Sequence, residues 1–78
     1  MEKPMKNKEL SEKIFLMRMK EQRDGGQKIS VGEYARRIGV SRPTYSNFER
    51  FGIGGKIVVS AVERYIAEIE RKGEIKWG

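Results

Sequence analysis

The sequence predicts an all-α fold, a compact four-helix domain, and three features of its 78 residues carry that reading. Apolar residues recur at helical spacing near both ends of the chain, at Leu10, Ile14 and Met17 and again at Val62, Tyr65, Ile66 and Ile69. Between them, the segment from Ile29 to Gly52 divides at Gly39 into two short stretches, each with its own start signal. A chain of this length builds one thin core. One domain is expected over residues 7–73, between a flexible segment at 1–6 and an arm at 74–78.

The first stripe, widened by Phe15 and Leu16, predicts an amphipathic helix from about Asn7 or Ser11 to Arg23, broken by Asp24, Gly25 and Gly26. The second helix starts after Ser30, whose hydroxyl can accept from the amide of Glu33 while the Glu33 carboxylate reaches back in a capping box. Tyr34, Ala35 and Ile38 follow on its inner face, Arg36 and Arg37 face outward, and Gly39 supplies the left-handed geometry that ends it. Val40 plugs the angle between the two helices. Ser41 caps the third helix, Pro43 sits in its first turn where a missing amide costs little, and Tyr45 and Phe48 point inward at i, i+3.

Gly52, Gly54 and Gly55 then make a turned connection into Lys56-Ile57-Val58-Val59, and a fourth helix runs from Ser60 to a stop at Gly73. Residues 74–78 alternate polar and apolar, which suits a short strand or an arm. Trp77 either folds back onto its own core or, with Ile75, reaches a second subunit.

Composition excludes several classes of function. Without cysteine or histidine there is no disulfide framework, no thiolate zinc site and no histidine base. The carboxylates are dispersed over helix surfaces and no phosphate-cradling glycine loop occurs, so neither an enzyme nor a cofactor, metal or small-molecule site is expected. No apolar run spans a bilayer, and the basic amino terminus lacks the apolar stretch of a signal peptide. A cytoplasmic, nucleoid-associated protein is the expectation.

The net charge of +6 is unevenly spread. Residues 28–56 hold Lys28, Arg36, Arg37, Arg42, Arg50 and Lys56 against Glu33 and Glu49, a net +4, whereas residues 57–78 are neutral. That concentration of positive charge points to a polyanion, with affinity falling steeply as salt rises.

Two capped helices about a glycine turn are the layout of a helix-turn-helix. The residues Tyr34, Ala35, Gly39, Val40, Ser41, Thr44, Tyr45, Ser46, Phe48 and Glu49 resemble the pattern of the phage-repressor-like (xenobiotic-response-element or Cro type) helix-turn-helix family. Tyr34 departs from it where leucine is usual, and Phe51 delays the closing glycine. The resemblance implies a four-helix repressor-like domain and a pair between an arginine late in the first helix, here Arg23, and Glu49; Arg23 could equally be a solvated helix end. The same run also resembles MerR and excisionase-like winged-helix proteins, in which residues 51–59 would form a short β-hairpin wing.

On either resemblance the helix after Ser41 enters the major groove of duplex DNA. Arg42 can bridge the O6 and N7 of a guanine, Asn47 suits adenine, Pro43 can meet a thymine methyl, and Thr44 can contact a base. Ser30, Arg36, Arg37, Ser46, Arg50 and Lys56 are the phosphate candidates, which position without reading sequence. The expected function is therefore a small transcriptional repressor that binds an inverted-repeat operator as a homodimer. An architectural or accessory factor for recombination, plasmid maintenance or transfer is the alternative within DNA binding, and a basic module for an acidic protein is the alternative outside it.

Overall fold

The computed structural model describes residues 5–73, which form four helices and one two-stranded sheet: β1 (Met5–Lys6), α1 (Lys8–Gly25), α2 (Val31–Ile38), α3 (Arg42–Phe51), β2 (Ile53–Gly54) and α4 (Lys56–Lys72). The all-α expectation holds, and no helix among these residues is long and apolar enough to cross a membrane. Local signals set the helix starts. Asn7 accepts from the amide of Leu10 at 3.1 Å, Ser30 from Glu33 at 3.1 Å and Ser41 from Thr44 at 3.4 Å, each supplying a partner for one first-turn amide. The capping box at Ser30 is only half formed, because the Glu33 carboxylate turns away to Arg37.

The core joins all four helices: Ile14 and Met17 from α1, Tyr34 and Ala35 from α2, Tyr45 and Phe48 from α3, and Val58, Val62, Ile66 and Ile69 from α4. Two expectations for α1 need correction. The helix starts at Lys8 with Asn7 as its cap, as expected, but runs past Arg23 to Gly25, and Phe15 and Leu16 stand outside the core, 40% and 54% exposed. A buried stripe at i, i+3, i+4 faces one direction, so residues adjacent to Ile14 and Met17 in sequence point elsewhere.

The segment after α3 also departs from expectation, and the wing is not formed. Ile53–Gly54 pairs antiparallel with Met5–Lys6, so two residues expected to be flexible lie in a sheet. Lys56 to Val59 form the first turn of α4, which thus starts four residues before Ser60. Val58 and Val59 are buried there; as helical residues they extend the apolar stripe of Val62 and Ile66. The corner is tight. Gly52 ends α3 at φ +70°, its carbonyl accepts from the amide of Asn7 at 2.7 Å, and any Cβ on it would press on the Lys8 backbone at 3.3 Å. A Cβ on Gly54 would stand 2.3 Å from Val58 Cγ1 and 3.0 Å from Phe48 Cδ1. Gly54→Ala should therefore destabilise the domain by about 2 kcal/mol, a melting temperature roughly 10 °C lower in a thermal scan. The arm expected at residues 74–78, with Ile75 and Trp77, lies outside the described residues.

Candidate nucleic-acid interface

The exposed side of α3 is built by what its other side must bury. Tyr45 and Phe48 are inaccessible to solvent, and Glu49 is turned inward with its side chain 5% exposed. Helical geometry then leaves Arg42, Pro43, Ser46, Asn47 and Arg50 along the opposite side, all exposed except the half-buried Ser46. The only carboxylate of α3 is thus removed from its outer face.

That face borders an open concavity of about 500 Å³ lined by Val31, Arg42, Pro43, Ser46 and Arg50. The stem of Arg42 lies over the first turn of α2, where a Cβ on Gly32 would be in ordinary contact with its Cδ at 3.4 Å. Arg42 forms no ion pair or hydrogen bond through its side chain among the described residues, which leaves its guanidinium to an external acceptor. The Arg50 guanidinium stands 5.7 Å from the ring centre of exposed Phe51, which gives that base an aromatic support.

The other expected contacts are placed less uniformly. Thr44 is exposed, but its hydroxyl oxygen accepts from Ser41 Oγ at 2.7 Å within the cap. Ser30 lines a second concavity with Gln27, Lys28, Ile29, Glu33 and Arg37, and Arg36 is exposed on α2. Arg37 is held by two carboxylates, Glu33 at 3.2 Å and Glu21 at 3.6 Å, so a phosphate would have to compete for it. Its pKa balances partial burial, which lowers it, against the hydrogen bond to Glu33, with a net rise. Lys56 is exposed at the start of α4 and lines neither concavity. Val31 and Lys28 were not among the expected contacts; Lys28 was visible in the charge count, whereas Val31 reads in the sequence only as a helix start.

Two partly buried polar networks fix α3 and α2 against α1. In the first, Arg18 donates from Nε to Glu49 Oε2 at 2.9 Å, from Nη2 to Glu49 Oε1 at 2.8 Å and from Nη1 to the Ile29 carbonyl at 2.8 Å. Tyr45 Oη donates to the same carboxylate. Glu49 has the expected kind of partner but not the expected residue: it is Arg18, and Arg23 lies exposed beyond it. The hydrogen bond to Glu49 holds the Arg18 pKa above its usual value. In the second network Tyr34 and Tyr65 both donate to Glu21 Oε2, the latter at 3.2 Å, with their rings edge-on at 5.3 Å. Tyr34 stands where the resembling pattern has leucine, and its hydroxyl is what reaches Glu21.

Burial raises the pKa of Tyr34, Tyr45 and Tyr65, most strongly for the first two, and the carboxylate that each hydroxyl faces, Glu21 for Tyr34 and Tyr65 and Glu49 for Tyr45, adds to the rise. An unfolded tyrosine ionises near pH 10, so above that value the unfolded chain releases protons that the folded chain retains. Stability contributed this way is complete below about pH 10 and falls above it, by up to about 1.4 kcal/mol per pH unit for each such tyrosine. Alkaline titration followed by circular dichroism and phenolate absorbance should show ionisation and unfolding as one transition; Tyr45→Phe should flatten its dependence on pH.

No family model, curated protein or solved structure matches the chain.

Proposed function

We propose that the chain is a sequence-specific duplex-DNA-binding protein of helix-turn-helix type, acting as a small transcriptional repressor that covers an inverted-repeat operator as a homodimer. One observation carries this reading: α3 presents Arg42, Pro43, Ser46, Asn47 and Arg50 on an exposed face while its one carboxylate is locked inside by Arg18. A helix clamped in this way holds its donors in fixed geometry, which base reading requires. In this role Arg42, Pro43, Thr44 and Asn47 meet bases, with Arg42 on guanine and Asn47 on adenine. Ser30, Arg36, Ser46, Arg50 and Lys56 meet phosphates, joined by Arg37 if phosphate displaces its carboxylates. One domain reads a single half-site, so a two-fold pair supplies the remaining specificity. Repression then follows from occupying the promoter in the cytoplasm, at the nucleoid.

The test is titration of the protein with duplex oligonucleotides over a range of salt. Log affinity should fall linearly with log salt, with a slope of about −0.9 for each phosphate neutralised. A preference for acidic polypeptide over duplex would overturn the reading in favour of a protein-binding module.

A further inference from the structure

We infer that the outward face of α1 is a self-association surface, on which a second copy of this chain docks antiparallel about a two-fold axis. The inference rests on the homodimer proposed above and names the surface that would form it. α1 is apolar on two sides. Ile14 and Met17 are fully buried, yet Phe15 and Leu16 face solvent and Met19 is half-buried beside them. Leu16, Met19, Lys20 and Arg23 line a shallow groove of about 370 Å³ on that outer side.

The spacing along this face decides what fits it. Glu12, Leu16, Met19 and Arg23 recur at intervals of four, three and four, the spacing of a coiled-coil seam, and the stripe reads acid, apolar, apolar, base. Set against itself antiparallel about an axis between positions 17 and 18, each Glu12 meets the partner's Arg23, and each Leu16 meets the partner's Met19. A parallel pairing would put like charges together, so the stripe is complementary to itself in one orientation only. Glu12 and Arg23 are both exposed, and among the described residues neither side chain forms an ion pair or hydrogen bond. Neighbouring charges are already engaged, Lys13 by Glu70 at 3.1 Å and Arg18 by Glu49. Lys20 on the flank of the seam opposes the pairing. The few side chains each copy contributes fall short of the roughly 20–30 residues of a standard interface, so the dimer is weak and concentration-dependent.

Sedimentation equilibrium of the full chain without DNA tests this. The wild type should dimerise with a dissociation constant on the order of 10–100 μM. Glu12→Arg or Arg23→Glu alone should weaken association about tenfold, since the two-fold doubles each effect, and the double reversal should restore it. Leu16→Glu should abolish the dimer while leaving helix content and melting temperature unchanged. A wild type that stays monomeric at millimolar concentration would overturn both this surface and the homodimer. A dimer indifferent to Leu16→Glu and to the charge reversals would overturn the surface alone. Neither outcome bears on whether α3 binds DNA.

Discussion

Replacing Arg18 with methionine should cost the domain about 3–5 kcal/mol, a large part of the 5–15 kcal/mol that holds a small domain together. The side chains of Arg18 and Glu49 are only 11% and 5% exposed, and all three hydrogen bonds made by the guanidinium end on acceptors drawn from α3 and the segment before α2. Without Arg18, the Glu49 carboxylate keeps one donor, the Tyr45 hydroxyl, and the Ile29 carbonyl loses its side-chain donor. A buried charge stripped of its partner is far costlier than a buried pair, or than no charge at all. Arg18→Met combined with Glu49→Leu should therefore recover most of the loss. Urea denaturation of the two single variants and the double variant measures the coupling directly. A single-variant loss below about 1 kcal/mol would mean that the pair behaves as a solvated surface contact. Arg18→Lys should fall between, because an ammonium cannot reproduce the fork that grips two carboxylate oxygens and a carbonyl together.

Arg42→Ala should change stability by no more than about 0.5 kcal/mol and cost about 1–3 kcal/mol in binding to the preferred duplex, with discrimination relaxed at one base pair. The side chain is exposed and unpaired among the described residues, so its removal breaks no ion pair or hydrogen bond and takes from the fold only the contact of its stem with the start of α2. Its position in the first turn of α3, with its stem over the start of α2, places the guanidinium where a major-groove edge would meet the helix N-terminus. Arg36→Ala provides the contrast. A phosphate contact carries no sequence information, so this variant should weaken all duplexes alike and flatten the salt slope by about one unit. If the two variants behaved alike, α3 would be gripping the backbone and not reading bases.

How far the sequence disclosed this arrangement depends on the range of each interaction. The caps at Ser30 and Ser41, the stops at Gly39 and Gly52 and the inward Tyr45 and Phe48 are legible because each is settled within one or two turns of chain. The partner of Glu49 is not. Arg18 and Arg23 lie five residues apart, about 140° around a helix axis; Arg18, four residues after Ile14, lies beside the buried stripe, but that it reaches Glu49 depends on the packing of α1 on α3. Pairing of Met5–Lys6 with Ile53–Gly54 involves two residues before α1 and two between α3 and α4, strands too short for an alternating pattern to appear. The glycines at 54 and 55 suggest a hairpin turn, yet Gly54 is required for a different reason, close contact with Val58 and Phe48. On the outer face of α3, Arg42, Pro43, Ser46 and Asn47 emerge from helical spacing alone. The engagement of Arg37 by Glu21 does not, since Glu21 arrives from another helix, unlike Glu33, which lies four residues away on α2.

Sequence-specific reading of duplex DNA by α3 is tested most directly by selecting bound sites from a pool of random duplexes. The expected result is enrichment of an inverted repeat whose half-sites are centred about 10 base pairs, or one helical turn, apart, with one position losing its preference in the Arg42→Ala variant. A pool that shows no enrichment, or an enriched motif that Arg42→Ala leaves intact, would contradict it.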